Sequence, residues 1–217
     1  MFFKIIKGLR SGKTILRTLM NLELTKYSVS GKVVDVGGGE NPSYLGFLEA
    51  KDAEVTSIDL RRDEQSGARI DLETSCLPYD DDSVDDVLMF NILEHIYNHR
   101  HLIGESYRIL KPGGRVLGFV PFLINYHPDP SDFFRYTKEA LARIFAMGGF
   151  KIEIIKEIGR GPFAVNFNNL APALPKVMGV IIFPVYYFMD WLFLKMRPKA
   201  RERFPLGYFF ELVKSHE

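Results

Sequence analysis

Short runs of β-branched and aromatic residues alternate along this chain with longer stretches of helical periodicity. Residues 33–36, 54–58, 85–90, 115–120 and 151–158 read as strands, each apolar and bounded by glycine, proline or acidic turns. The last of these alternates Ile152, Ile154 and Ile158 with charged positions. A further short strand is predicted near 68–71, and a final one over 206–213. Helices are predicted over 42–50, with Pro42 in the first turn, over 100–110, and from Thr137 to the Gly148-Gly149 pair. The second helix is stopped by Lys111-Pro112-Gly113-Gly114, and the third carries Glu139 in its opening turn. Strand following helix in this order predicts an α/β fold with a parallel sheet and right-handed crossovers.

Two segments depart from that rhythm. The first seventeen residues hold Lys4, Lys7, Arg10, Lys13 and Arg17 with no acidic residue, interleaved with Phe2, Phe3, Ile5, Ile6 and Leu9. This is a basic amphipathic helix, or two short ones broken at Ser11-Gly12. It fits either an anionic membrane surface or the mouth of a binding site, the second being the commoner use of such a face. The basic residues also interrupt any stretch that could serve as a signal peptide. Residues 177–194 read VMGVIIFPVYYFMDWLFL, with Asp190 the only charge. As a helix this run is about 27 Å long, just short of a bilayer core, and Pro184 would kink it. Asp190 at depth would cost roughly 3 kcal/mol, so a full span is disfavoured. Its aromatic content suits a lipid interface, a homodimer interface or internal packing.

Composition narrows the function classes. With 217 residues, the chain suits one domain: a basic amino-terminal segment (1–30), a core (31–160), an apolar insertion (163–203) and a terminal strand (204–217). Its 28 basic residues nearly balance 27 acidic ones, so no nucleic-acid partner is expected. The single cysteine, Cys76, cannot form an internal disulfide, and the expected compartment is cytoplasmic, with peripheral membrane contact if the apolar run meets lipid. No Cys/His cluster appears at metal-ligand spacing, so no metal is expected.

The candidate chemistry begins at Val33-Val34-Asp35-Val36-Gly37-Gly38-Gly39-Glu40-Asn41-Pro42, answered by Val55-Thr56-Ser57-Ile58-Asp59. A strand, a glycine turn and an acidic residue at the next strand's tip are how a nucleotide-type cofactor is held at the carboxyl edge of a sheet. The glycines permit close backbone approach, and Asp59 is placed to accept from ribose hydroxyls.

Taken in order, VVDVGGGEN (33–41), SIDL (57–60), DLETSCLPYDDDSVDDVLMFNILEHI (71–96) and RILKPGGRVLGFVP (108–121) resemble the class I S-adenosylmethionine-dependent methyltransferases, in particular the type 11 domain group. The resemblance covers about residues 31–160 plus the terminal strand. It implies a Rossmann-like, seven-stranded, mostly parallel sheet with helices on both faces. An antiparallel last strand would follow the apolar helical insertion. It implies S-adenosylmethionine as cofactor. Asp35, Gly37 and Gly39 would hold its methionine end, Asp59 the ribose and Leu60 the adenine face. Asp71 and the Leu72 amide would meet the adenine edge, and Asn91 the amino-acid portion. Asn41 stands where the common pattern has a third glycine, a position Asn tolerates. Two other functions stay open: a cofactor-binding interaction module without turnover, and an NAD-dependent oxidoreductase. The second is disfavoured by Pro42, where that fingerprint wants Gly or Ala.

Catalytic candidates cluster in residues 121–137, after the strand predicted over 115–120. His127 is the first choice for a general base, Asp132 would orient it or bind acceptor, and Arg135 and Tyr136 would contact a hydroxylated or anionic acceptor. A structural alternative pairs Asp132 with Arg135, packs Tyr136 and makes Thr137 a helix cap. Similar Pro-x-Asp-Phe-x-Arg-Tyr-Thr runs occur in bacterial methyltransferases of this group. Together with the apolar run they point to a small-molecule, glycan, lipid-linked or quinone-type acceptor near a membrane.

Overall fold

A computed structural model of the protein describes residues 1–39, 42–58 and 70–216. Two helices, α1 (Phe2–Arg10) and α2 (Ile15–Leu24), precede the strands β1 (Ser28–Val36), β2 (Glu49–Ile58) and β3 (Val84–Phe90). Then follow α3 (His99–Ile109), β4 (Leu110–Pro121), α4 (Lys138–Met147), β5 (Phe150–Gly159), α5 (Pro162–Leu170), α6 (Lys176–Met196) and β6 (Pro205–Lys214). The described residues form one six-stranded sheet in the order β2-β1-β3-β4-β6-β5. The β1–β2, β1–β3 and β3–β4 pairs are parallel, whereas β6 runs antiparallel between β4 and β5. The late antiparallel strand is therefore as expected. Half of the expected strand near 68–71 falls outside the described residues, and its other half, Ile70 and Asp71, lies in no strand.

Both faces of the sheet are covered, which is why its inner strands are apolar at consecutive positions. Val34, Val87 and Val116 face one core with Leu102 of α3 and Phe145 of α4. Val33, Leu88 and Leu117 face the other, with Ile5 of α1, Leu19 of α2, Phe167 of α5 and Phe183 of α6.

The helix predicted over 42–50 is corrected to a single 3-10 turn, Leu45–Phe47, because β2 begins at Glu49. The face that such a crossover helix would cover is already occupied. Tyr44 and Leu48 join Ile15, Leu19 and Met20 of the amino-terminal helices in one core. Elsewhere α3 begins at His99, one residue before its predicted start, while β1, β2 and β4 each begin five residues earlier than predicted, β4 running through the glycine-rich stop signal. Thr137 caps α4, its hydroxyl accepting from the Ala140 amide.

The order of strands reverses at β1, since β2 lies on one side and β3 on the other. Such a reversal leaves a crevice at the carboxyl ends of the strands, the place where open α/β sheets take ligands.

Candidate active site

A cavity of about 910 Å³ occupies that crevice. Its floor is the glycine turn after β1 (Gly37, Gly38) and the end of β3 (Phe90, Asn91). Lys13, Leu16, Arg17 and Met20 close it from the α1–α2 side. His95, Ile124, Asn125 and His127 form the opposite wall, and Asn168 and Asn169 at the end of α5 complete it. The amino-terminal basic segment thus lies across the mouth of the site. Asn168 ties the two sides together, its side-chain oxygen accepting from the Leu16 amide at 3.0 Å.

The glycine turn is sterically required. Gly37 has φ of +80°, and a Cβ there would stand 2.6 Å from Ile92. A Cβ on Gly38 would overlap the Asp35 carboxylate. Gly39, also at positive φ, carries the turn onward but is not among the lining residues. Asn91 adopts φ of +54° at the tip of β3, a backbone conformation uncommon outside glycine and typical of ligand sites.

Asp35 does not reach the cavity. It is fully buried, and Tyr44 donates its hydroxyl hydrogen to the carboxylate, with O···O distances of 2.6 and 2.8 Å. Burial raises its pKa to about 6 against the bonds from Tyr44 and Ser57. Its carboxylate packs behind the turn, against Gly38, and is not among the lining residues. Asp59 and Leu60 lie outside the described residues. Asp71 is exposed and not among the lining residues; its carboxylate takes the Glu73 amide and the Thr74 hydroxyl, both at 2.9 Å. Leu72 is buried in the core on the α3 side. Of the cofactor candidates, Gly37 and Asn91 line the cavity.

Residues 121–137 fold back over the short 3-10 turn Leu93–His95. The Phe133 amide donates to the Glu94 carbonyl at 2.8 Å, and the Tyr136 hydroxyl donates to the Leu93 carbonyl at 3.2 Å. Arg135 grips Asp132 through both guanidinium nitrogens and also reaches the Asn125 and Phe134 carbonyls. Asp132 meets His127 through the main-chain amide, at 3.0 Å, and not through the ring. Neither Asp132 nor Arg135 is among the lining residues, so the expected acid–imidazole pair is replaced by a clamp that holds the loop. Desolvation works to raise the Asp132 pKa, yet the Arg135 bonds and the His127 amide bring it down to about 2. His127 itself is half-buried, and desolvation lowers its pKa, keeping the ring neutral near pH 7.

Two further residues stand out. Arg17 Nη1 is buried with no hydrogen-bond partner, and burial lowers the guanidinium's pKa. Glu94 is fully buried with neither carboxylate oxygen bonded, and burial raises its pKa to about 8. Arg17 had a signal in the basic amphipathic pattern, although which face it uses was not legible. Tyr44 had none, because it sits in the segment read as helix.

Comparison with known proteins agrees with the crevice. Residues 34–118 match the family model described as a methyltransferase domain. A Mycolicibacterium smegmatis protein described as a probable S-adenosylmethionine-dependent methyltransferase is 33% identical over 84 residues, 36% of this chain and 32% of that one. The chain thus spans about a third of the length of that curated relative. Among solved structures, the geranyl diphosphate C-methyltransferase of Streptomyces coelicolor superposes with a TM-score of 0.57 at 12% identity, over 91% of this chain and 80% of that one. The cyclase SpnF gives 0.56 at 17% identity, over 92% and 80%. The Haemonchus contortus phosphoethanolamine N-methyltransferase 2 gives 0.53 at 17%, over 91% and 52%. Residues 34–118, which carry the glycine turn and the strands flanking the crevice, are thus similar to methyltransferase domains, and the relative matched over 84 residues is one described as probably S-adenosylmethionine-dependent.

Proposed function

We propose that the protein transfers a methyl group from S-adenosylmethionine to a small hydroxylated acceptor held in the 910 Å³ cavity. The observation that carries this reading is the cavity's pairing of a bare glycine turn with a half-buried guanidinium, Arg17, whose Nη1 has no hydrogen-bond partner. The bare turn at Gly37 and Gly38 takes the methionine end of the cofactor, and Arg17 supplies the counter-charge for its carboxylate. Asn91 stands between this end and the far wall. The reaction needs little more than alignment: the acceptor attacks the methyl carbon in line, the carbon–sulfur bond breaks, and a neutral thioether departs. His127, neutral and on the acceptor side, takes the proton from the acceptor atom. The exposed Asn125 side chain offers a hydrogen bond to a glycan or similar polyol, Asn168 and Asn169, tied to Leu16 and Leu123, hold the wall behind it, and Phe90 and Ile124 give it an apolar face.

The acceptor's setting is a membrane surface. Helix α6 is long and apolar enough to cross a bilayer, and only 17% of its most apolar stretch is buried. It lies beside α1, whose Lys4, Lys7 and Arg10 are exposed.

Calorimetric titration with S-adenosylmethionine, S-adenosylhomocysteine and NAD tests the cofactor. Transfer of a labelled methyl group to glycan, lipid-linked and quinone acceptors tests the reaction. Binding of NAD alone would overturn the reading. Adenosyl binding with no transfer to any acceptor would favour a non-methylating role, for which the fold likeness to a cyclase gives a precedent.

A further inference from the structure

We propose that Glu94, His95 and His127 form a binding site for one divalent first-row transition ion, Zn²⁺ serving as the test ion. The chain folds so that one ligand atom from each of these three side chains lies within 4.8 Å of the other two. They come from separate segments: Glu94 and His95 from the 3-10 turn after β3, His127 from the loop after β4.

Three features set this cluster apart from a chance meeting of polar groups. The first is Glu94, fully buried, with neither carboxylate oxygen hydrogen-bonded. Buried polar atoms are almost always paired, so an unpaired carboxylate implies a missing partner, and a cation supplies it. The second is the orientation of His95. Its Nδ1 lies 2.5 Å from the Ser131 carbonyl, which makes Nδ1 the protonated nitrogen and leaves the Nε2 lone pair free. Nε2 is also the atom that faces Glu94, 3.7 Å from Oε1. A ring N–H given to a carbonyl is the usual support for a metal-bound imidazole. The third is access: both histidines line the cavity, so an ion here keeps open positions toward a bound molecule.

Ligand chemistry selects the ion. Two imidazoles and one carboxylate suit zinc, iron or manganese, whereas magnesium and calcium prefer all-oxygen shells. A tetrahedral ion with bonds of about 2.1 Å places its ligand atoms about 3.4 Å apart. Glu94 and His95 already approach that spacing, and the remaining closure falls on the ring of His127. That ring makes no hydrogen bond to another side chain among the described residues, and it stands 5.2 Å from the His95 ring, centroid to centroid. Asp132 does not compete, since Arg135 occupies its carboxylate. With the ion in place, His127 acts as a ligand rather than as the base, and the ion acidifies the acceptor hydroxyl, whose proton passes to solvent in the open cavity before the oxygen attacks the methyl carbon. Only this last consequence rests on the proposed methyl transfer.

The test uses the full chain, stripped with a chelator and titrated with Zn²⁺ against a chromophoric competitor and with Co²⁺ by visible absorption. One ion per chain is expected, with a Co²⁺ spectrum of mixed nitrogen and oxygen ligation. Glu94→Gln and His127→Asn should each weaken Zn²⁺ by more than the roughly 10–100-fold that a lost supporting hydrogen bond costs. His101→Asn, outside the cluster, should leave the affinity unchanged. If Glu94→Gln unfolds, His127→Asn decides alone, because that residue sits in a loop. Absence of stoichiometric binding, or binding indifferent to both cluster variants, overturns the site. Titration with S-adenosylmethionine on the same samples separates the two readings, since a failure of cofactor binding leaves the Zn²⁺ result standing and the reverse also holds.

Discussion

Asp35 ends β1 with its carboxylate fully buried and hydrogen-bonded by Tyr44 and Ser57. Burial raises its pKa from 3.8 to about 6. The unfolded chain therefore releases this proton first, and between about pH 4 and 6 the native state binds more protons than the unfolded one. Stability should fall across that window, by at most about 3 kcal/mol, and level off above it. Other groups titrate there too, so the readout is the difference between wild type and Asp35→Asn in urea unfolding at pH 4, 5 and 7. The wild type should lose stability relative to the variant as pH rises. Parallel behaviour would mean that Asp35 is ionised throughout. The same residue shows where sequence reading stops at this scale. Val33-Val34-Asp35-Val36-Gly37 made a strand and a turn legible, but not whether the acid faces the ligand or the core. The answer came from Tyr44, a contact partner that no local pattern marks.

At the scale of elements, local pattern served best where both sheet faces are covered. The apolar runs at 33–36 and 85–90 could only be buried strands, and Thr137 with Glu139 announced α4. It failed at 42–50, where the question was whether the sheet face still needed a helix; α1 and α2 had already covered it. Helix α6 shows the same limit. Asp190 reads from sequence as a costly charge in an apolar run. In the fold it caps a neighbouring helix: its carboxylate accepts from the Phe163 and Ala164 amides at 3.0 and 2.9 Å in the first turn of α5. Arg160 lies 4.0 Å away. This contact fixes α6 against the domain. Asp190→Ala should strand two amides, one of them wholly buried, and cost about 1–3 kcal/mol, whereas Asp190→Asn should recover part of that. Calorimetric unfolding of the two variants checks the order. Equal stability of Asp190→Ala and wild type would remove the capping role.

For the whole molecule, that anchoring decides how α6 can meet a membrane. Crossing a bilayer would require α6 to abandon Asp190's bonds to α5 and the buried Phe183, which stacks on Phe2 at 5.8 Å between ring centroids. Lying flat requires nothing to break. Val177, Ile181, Val185, Phe188 and Leu192 fall on one outward stripe at helical spacing, each at least 44% exposed. Phe3 of α1, 83% exposed, stands beside Lys4 and Lys7. An apolar stripe flanked by basic residues is suited to the interface of an anionic bilayer, held by insertion and by charge together. The protein should therefore co-sediment with phosphatidylglycerol vesicles more than with phosphatidylcholine vesicles, and added salt should weaken but not abolish the binding. Ile181→Glu combined with Phe188→Glu should release it from both while leaving S-adenosylmethionine affinity unchanged, because neither side chain lines the cavity. A wild-type dimer that ignores both vesicles and is split by the same two substitutions would instead assign the stripe to a second copy of the chain. The cavity mouth lies under α2, joined to α1 by only Ser11–Thr14, so lipid contact by α1 would bring the acceptor entrance to the membrane surface.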